Sequence, residues 1–178
     1  MFNNINVVFN PEFLTEANAI NDFKNQNRII IGGPKKAASK VRRLFIKAFP
    51  KVKIIKTDST YAEMVKYITN AFLATKVSFA NEMYEICNHL GIDYDKVVEY
   101  AVHDERLGYS HWSVPGPDGD FGYGGHCFPK DVKALISVAM ELDSDINPIM
   151  LKATNEKNNK VRRNRDWEKQ EGRAVINK

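Results

Sequence analysis

The segment FGYGGHCFPKD, residues 121–131, combines three kinds of residue from which a covalent catalytic site can be built. Its glycines let the backbone approach a ligand closely, because no Cβ intervenes. Cys127 comes just before a predicted helix, whose N-terminal amides and neighbouring Lys130 would stabilise a thiolate. Asp131 adds a carboxylate four residues further on. The segment is typical of a nucleophilic thiol, although a flexible loop beside a buried structural cysteine explains it equally well.

Two further pairs of polar residues could contribute to the same site. Lys66 and Asn70 lie four residues apart on a predicted long helix, so they share a face and could together hold an oxyanion. Glu12 and Glu16 follow a predicted strand, and ligands of α/β proteins bind at the carboxyl ends of strands. Spacing alone favours a solvated helix face for the first pair and an ordinary acidic loop for the second.

Hydrophobic periodicity predicts the elements that would position these residues. Apolar runs at residues 5–9, 29–31 and 52–55 are typical of buried strands. Residues 37–49 carry apolar side chains at helical spacing. Strands that alternate with helical segments in this way indicate one edge of an α/β sheet.

The remainder of the chain is predicted to be mainly helical. A long helix should begin near Thr60 and continue to Leu90, where Gly91 ends it. Three shorter helices should follow, at residues 93–102, at residues 130–142 and after Pro148.

Composition narrows the possible classes of protein. The chain has 178 residues, of which 43% are hydrophobic and 27% charged, enough for one compact domain or one and a fragment. No apolar run reaches the roughly 18 residues of a membrane helix, and the first residues do not resemble a signal peptide. We therefore expect a cytoplasmic protein without a membrane partner. The two cysteines form no CxxC pair, so no metal site is expected.

The formal net charge is +4, and much of the excess lies in one late run. The run contains Lys157, Lys160, Arg162, Arg163 and Arg165. A solvated helix face is the simplest explanation for such a charge run, and it lacks the interleaved aromatic residues of a nucleic-acid-binding segment. No nucleic-acid partner is therefore expected.

Four segments together resemble the UDP-glucose 6-dehydrogenase family, which includes the GDP-mannose and UDP-N-acetylmannosamine dehydrogenases. They are NPEFLTE at 10–16, the helix with Lys66 and Asn70, DERLG at 104–108 and GYGGHCFPKD at 122–131. Their order and spacing agree with the family over most of the chain. The FGYGG form of the last segment favours UDP-glucose as the substrate.

The resemblance implies a role for each candidate residue. Cys127 would take the sugar aldehyde as a thiohemiacetal and then hold the acid as a thioester. Asp131 would activate water or move protons, Glu12 would act as a base in thioester hydrolysis, and Lys66 with Asn70 would steady the oxyanion. The other implied contacts are to the sugar, from Phe13, Leu14, Thr15, Glu16, Phe121, Gly122, Tyr123, Gly124 and Gly125; to the neighbouring subunit's substrate, from Arg106; and to NAD, from Glu16 and Lys130.

The resemblance also implies a fold and a division into domains. Residues 1–58 would be an α/β fragment, the C-terminal end of an NAD-binding Rossmann-like sheet. Residues 59–165 would form a mostly helical central domain for dimerisation and catalysis, followed by a loose tail at 166–178. The family's GxGxxG loop for the dinucleotide does not occur in this sequence, and no segment resembles its UDP-binding domain.

Three interpretations therefore remain open. The chain could be one subunit of a split homodimeric enzyme, with separate chains that carry the NAD- and UDP-binding domains. It could be an inactive truncated remnant, or a non-catalytic helical module for dimerisation or binding. The presence of all the catalytic-type residues together favours the split enzyme.

Overall fold

A computed structural model describes residues 6–15, 18–143 and 145–169. The chain forms two compact units that divide between Ile68 and Thr69. The first is an α/β unit and the second is helical, in agreement with the predicted fold class. Within the described ranges, no helix is long and apolar enough to cross a membrane.

The first unit is built on a two-stranded parallel sheet. Strand β1 (Arg28–Gly32) follows helix α1 (Ala19–Lys24), and strand β2 (Lys53–Thr57) pairs with β1 in the register Ile30 to Ile55. Helix α2 (Lys35–Ala48) connects the two strands, as a parallel pair requires. The core forms where the apolar face of α2 covers the sheet, with Ile29, Ile31 and Ala38 buried among Val8, Val41, Phe45, Phe49, Val52 and Ile54.

The predicted strand at residues 5–9 does not form among the described residues. Only Phe9 pairs, in an isolated antiparallel bridge to Gly32 with N···O distances of 2.8 Å in both directions. Val7 is 65% exposed. A short apolar run cannot distinguish a ladder-forming strand from an extended segment that makes one bridge, because hydropathy does not identify the pairing partner.

Helix α3 (Ser59–Leu90) is the longest element and crosses from the first unit into the second. It ends where predicted, because Gly91 takes a positive φ of 68° that other residues adopt at a cost. The Ile92 amide then donates to the Cys87 carbonyl, and the Gly91 amide donates to the Asn88 carbonyl. This pairing satisfies carbonyls that the last turn would otherwise leave without donors.

The second unit packs four helices and a long loop. Helix α4 (Tyr94–Ala101) is capped by Asp93, whose side chain accepts from the amides of residues 95 and 96. The loop at 102–126 leads to helix α5 (Cys127–Leu142), which is followed by helix α6 (Ile149–Val161). One core cluster joins Ala80, Cys87, Tyr94 and Val114, and a second joins Ala74, Tyr123 and Val132. Cys87 is therefore a core residue, as the apolar stripe of α3 predicted.

Two boundaries differ from the prediction. Helix α5 begins at Cys127 and not at Lys130, because Pro129 fits anywhere in a first turn, where its missing N–H has no intrahelical acceptor. The predicted loose tail is wrong for its first four residues, since Asp166–Lys169 forms a 3-10 turn with Trp167 only 2% exposed. Residues 170–178 of the predicted tail lie outside the described residues. The predicted domain boundary at 58/59 stays a prediction.

Candidate functional site

Asn70 and Asp131 lie side by side in the interior of the second unit. The Asn70 Nδ2 atom of α3 donates to the Asp131 Oδ2 atom of α5 across 2.5 Å, and the two residues are 5% and 2% exposed. The other carboxylate oxygen pairs with the Lys130 ammonium. A buried carboxylate needs such partners, because an unpaired charge in the interior costs several kcal/mol. The structure thus brings together two predicted site residues that are 61 positions apart.

Cys127 is the first residue of α5 and is half-buried. Asp131 follows one helical turn later, so the thiol and the carboxylate lie on the same face of α5 with their Cβ atoms about 5–6 Å apart. Cys87, by contrast, is buried in the core cluster around Ala80. Of the two cysteines, Cys127 therefore has the position and the access that a nucleophile requires.

Side chains of α3 and α6 hold the glycine-rich loop ahead of Cys127 in place. The Gly122 amide donates to the Asn81 Oδ1 atom of α3 at 3.1 Å. Asn158 of α6 accepts from the Tyr123 amide at 2.7 Å and returns a hydrogen bond to the Tyr123 carbonyl at 3.0 Å. The backbone of this loop is thus held by several hydrogen bonds to side chains, which argues against the flexible loop of the alternative explanation.

The glycines at 122 and 124 are required by the protein's own packing. A Cβ on Gly122 would lie 2.2 Å from the Asn158 Oδ1 atom, and a Cβ on Gly124 would lie 2.1 Å from the Arg162 Nη2 atom. Both distances are far inside van der Waals contact. We expected the missing Cβ atoms to make room for a ligand, but at these two positions they make room for Asn158 and Arg162.

Arg162 holds the loop from the end of α6. Its side chain is 2% exposed. The Nη2 atom donates to Asp118 at 2.6 Å and lies 3.9 Å from Asp166, and the Nε atom lies 3.4 Å from Asp120. The hydrogen bond from the guanidinium holds the pKa of the Asp118 carboxyl below its ordinary value. Asp166 in turn accepts from the Gly125 amide at 3.0 Å. Three carboxylates thus surround one buried cation and connect it to the loop.

The predicted solvated face is therefore wrong for part of the late basic run. Arg162 is buried, and Lys157 is half-buried in an ion pair with Glu85 at 2.6 Å. Sequence reasoning missed Asn158 and Arg162, which look like polar helix residues. The one signal that the sequence offered for Arg162 was a set of three aspartates, Asp118, Asp120 and Asp166, whose charges are opposite to that of the basic run.

Tyr123, a predicted sugar contact, points into the core of the second unit. It is 5% exposed and packs edge-to-face on Phe128, with 5.8 Å between the ring centroids. Burial raises the pKa of its hydroxyl, which has no hydrogen-bond partner among the residues that the structure describes. A buried hydroxyl without a partner is rare in native proteins, and water or a ligand would satisfy it.

Lys66 and Glu12 form a second polar pair, within the first unit. The Lys66 ammonium lies 2.8 Å from the Glu12 Oε1 atom and 2.5 Å from the Glu12 carbonyl oxygen. Its Nζ atom is also 5.6 Å from the centroid of the Phe13 ring, and the Arg28 guanidinium lies 4.1 Å over that ring. Both candidate catalytic residues of this unit are thus in direct contact.

The carboxylates of Glu12 and of Asp22 in α1 organise the loop after Glu12. The Leu14 amide donates to the Glu12 carboxylate at 2.9 Å. The Thr15 amide and hydroxyl both donate to Asp22, at 2.8 and 2.5 Å. Glu16, predicted to contact both the sugar and NAD, lies outside the described residues.

Arg106 is a strongly exposed member of the predicted site residues. Its guanidinium is 87% exposed and pairs with the neighbouring Asp104 at 2.5 Å. The charged group thus faces solvent from the short 3-10 turn at Glu105–Leu107. Among the predicted site residues, the structure brings two groups into direct contact: Asn70 with Asp131 and Lys130, and Lys66 with Glu12.

Family models match both parts of the chain. Residues 60–160 match the central domain of the UDP-glucose/GDP-mannose dehydrogenase family, and residues 2–49 match its NAD binding domain. The first match alone covers more than half of the chain. The chain belongs to this family.

Relatives in the family share sequence with most of the chain. The UDP-glucose 6-dehydrogenase YwqF of Bacillus subtilis is 42% identical over 156 residues, which are 87% of this chain and 33% of the relative. The UDP-glucose 6-dehydrogenase of Pseudomonas aeruginosa is 40% identical over 141 residues, which are 78% of this chain and 30% of the relative. The chain thus spans about a third of the length of these relatives.

Solved structures of family members have the same fold over the same region. A UDP-glucose dehydrogenase from Pyrobaculum islandicum superposes with a TM-score of 0.77 at 35% identity, over 87% of this chain and 34% of that one. A UDP-D-ManNAc dehydrogenase from Pyrococcus horikoshii gives a TM-score of 0.68 at 27% identity, with the same coverage of both chains.

NAD is the cofactor implied by the domain that residues 2–49 match. The residues of this chain provide only part of an NAD-binding site. Lys130 is partly exposed and carries a positive charge, but the sequence holds no GxGxxG turn to cradle a pyrophosphate at a helix N-terminus. No step through the dinucleotide follows from these residues alone.

Proposed function

We propose that this chain forms the central part of a nucleotide-sugar dehydrogenase that oxidises UDP-glucose to UDP-glucuronate, with Cys127 as the nucleophile. One observation supports this function most strongly. The half-buried thiol shares a face of α5 with a buried carboxylate, Asp131, which is held from the opposite helix by Asn70. A structural module has no need of a buried charge at this position, because an apolar side chain would pack there at lower cost.

The residues suggest how the oxidation of the alcohol to the acid proceeds in steps. Two oxidations turn a primary alcohol into an acid, and the intermediate aldehyde could escape between them. Addition of the Cys127 sulfur to the aldehyde carbonyl would form a thiohemiacetal, which keeps the substrate bound. After the second oxidation the sugar would remain as a thioester, which water hydrolyses to the carboxylate and the free thiol. NAD supplies the hydride acceptor for both oxidations.

Asp131 and Asn70 would act around this sulfur. The Asp131 carboxylate lies within one turn of the thiol and can orient the hydrolytic water or accept its proton. Asn70 has two amide N–H donors, of which one bonds to Asp131 and the other can reach an oxyanion formed at the carbonyl. Lys66 and Glu12 would contribute as oxyanion donor and hydrolytic base, in accordance with the family resemblance.

We further propose that turnover needs parts that these residues do not supply. The pyrophosphate cradle and a UDP-binding domain would be supplied by protein outside residues 1–178, in a split enzyme by separate partner chains. The catalytic-type residues support this reading over an inactive remnant or a dimerisation module, since all five candidate catalytic side chains are present.

A chimera tests the proposed function. Residues 6–160 would replace the matching segment of Bacillus subtilis YwqF, which is 42% identical, and NADH formation from UDP-glucose would be followed by absorbance. We expect the chimera to be active and Cys127→Ser to lower kcat by roughly a thousandfold or more. Cys87→Ala, the matched change at the other cysteine, should retain most of the activity. A folded chimera without turnover, or an active Cys127→Ser variant, would refute the proposal.

A further inference from the structure

Helix α2 carries a continuous basic face that the proposed chemistry does not use. Six of its 14 residues are Lys or Arg, and all six are exposed. At about 100° per residue, they cover roughly 160° of the helix surface. The opposite side, with Ala38, Val41 and Phe45, packs on the sheet. The basic side is therefore presented to solvent by the fold itself.

This face differs from an ordinary solvated helix surface in three ways. From Lys35 to Lys56 the sequence has nine Lys or Arg residues and no Asp or Glu, whereas solvated faces usually mix both signs. Like charges stand one turn apart at Lys36 and Lys40, which destabilises a helix. Two lysines also occupy the first turn, where the macrodipole disfavours cations. Such local conflicts are typical of positions kept for a function.

No internal partner neutralises this charge. Within residues 6–15, 18–143 and 145–169, none of the α2 cations forms an ion pair. The late basic run is different, because Arg162 and Lys157 in that run are buried or half-buried in ion pairs. The charge of α2 is thus available to an external anion.

The cations line an open groove in the first unit. Lys56 on β2 stands against α2, and its Nζ atom donates to Ser39 Oγ at 3.0 Å. Ser39 in turn donates to the Lys35 carbonyl at 2.7 Å. The groove is lined by Lys35, Lys36, Lys40, Arg42, Arg43 and Lys56, with Ser39 between them. We call this surface the α2 groove.

We propose that the α2 groove binds the phosphate backbone of a nucleic-acid duplex without reading its base sequence. A duplex presents one charge per roughly 1.7 Å of its axis, and a groove lined by six cations complements such a line of charge. The groove offers no aromatic ring for base stacking, because Phe45 and Phe49 pack in the core. Contact through phosphates, and not through unstacked bases, is therefore favoured.

A lipid surface fits the α2 groove less well. Helices that bind membranes insert a continuous apolar strip between the headgroups. The exposed large apolar side chains of α2 are Leu44 and Ile46, which lie about 160° apart around the helix. They cannot insert together. This inference is independent of the proposed enzymatic function, and it replaces our expectation of no nucleic-acid partner, which rested on the late basic run.

Binding of a fluorescein-labelled DNA duplex of roughly 20 base pairs to the full chain, followed by anisotropy, tests the proposal. Six phosphate contacts predict a slope of log K against log salt near −5. The triple variant Lys36→Gln, Lys40→Gln, Arg43→Gln should bind at least tenfold more weakly at about 50 mM salt, and the slope should become shallower by about 3. Glutamine keeps the helix propensity of lysine and arginine.

A variant with the same change in net charge is the control. Lys96→Gln, Lys152→Gln, Lys160→Gln removes three exposed lysines from the second unit and should leave the affinity within about threefold. Equal losses in both variants would overturn the proposal, because they would reveal an effect of net charge alone. Failure of the unmodified chain to bind at low salt, or tighter binding to phosphatidylserine vesicles than to the duplex, would overturn it as well.

Discussion

At the scale of residues, access distinguishes the two thiols. Cys127 is half-buried at the start of α5, and Cys87 is packed in the core of the second unit. A reagent reaches Cys87 only when the core opens, which costs a large part of the unfolding free energy.

We therefore expect iodoacetamide to label Cys127 at least tenfold faster than Cys87 near neutral pH. Peptide mass spectrometry after timed quenching would give both rates from one sample, so that each cysteine is the control for the other. The difference should vanish in denaturant. Equal rates under native conditions would contradict a nucleophilic role for Cys127.

The hydrogen bond between Asn70 and Asp131 should stabilise the fold measurably. Asn70→Ala would leave one oxygen of a buried carboxylate without its donor, at a cost of about 1–3 kcal/mol in the free energy of unfolding. Urea denaturation followed by circular dichroism would measure this loss. Asn88→Ala, an exposed asparagine on the same helix, should change stability by less than about 0.5 kcal/mol. Similar losses in both variants would show that the bond contributes nothing.

At the scale of elements, the loop at 116–125 allows packing and backbone conformation to be separated. Gly119 and Gly122 both have positive φ, 78° and 67°. A Cβ on Gly119 would meet nothing within 4 Å, whereas one on Gly122 would collide with Asn158. The backbone strain of alanine is thus nearly the same at both positions, and only the collision differs.

Gly119→Ala should cost about 1–2 kcal/mol in unfolding free energy, from the left-handed backbone alone. Gly122→Ala should cost about 1–3 kcal/mol more, because Asn158 must move away and lose its bonds to the Tyr123 backbone. Differential scanning calorimetry of the two variants side by side measures the difference. Equal destabilisation would mean that the close approach of Asn158 to Gly122 is not a constraint.

The elements also show what sequence can and cannot predict. Hydrophobic periodicity, together with Gly91, predicted strand β1, helix α2 and the full extent of α3, because these signals are local in the sequence. Periodicity did not predict the isolated bridge of Phe9 or the burial of Trp167, because each depends on a partner distant in the sequence that hydropathy does not identify. The family resemblance selected Asn70 and Asp131, whereas spacing alone favoured a solvated face for Asn70. Asn158 and Arg162 could not be selected, because a polar helix residue looks the same in sequence whether it faces water or supports a loop.

At the scale of the whole molecule, α3 carries exposed aromatic and aliphatic residues in a repeating pattern. Phe72, Phe79 and Ile86 follow one another at intervals of seven and are 67%, 50% and 45% exposed. A seven-residue spacing keeps large side chains on one side of a helix, which is typical of helix pairing. An uncovered strip of this kind on a single chain favours association.

We predict that the chain is a dimer at micromolar concentration and that α3 forms the contact. Phe72→Glu should shift the mass measured by multi-angle light scattering to that of a monomer, because the new charge would be buried without a partner. Asn88→Glu introduces the same side chain at an exposed polar position of α3 and should leave the dimer intact. A monomeric unmodified chain would refute the prediction.

The supports of the glycine-rich loop have a consequence for synthesis on the ribosome. The Tyr123 and Gly125 amides are held by side chains that are translated well after them, those of Asn158 and Asp166. A nascent chain that has just exposed Cys127 thus still lacks the side chains that set the backbone around it. The thiol would be chemically present before its surroundings are organised, and the loop beside it would become organised only after Asp166 has been translated.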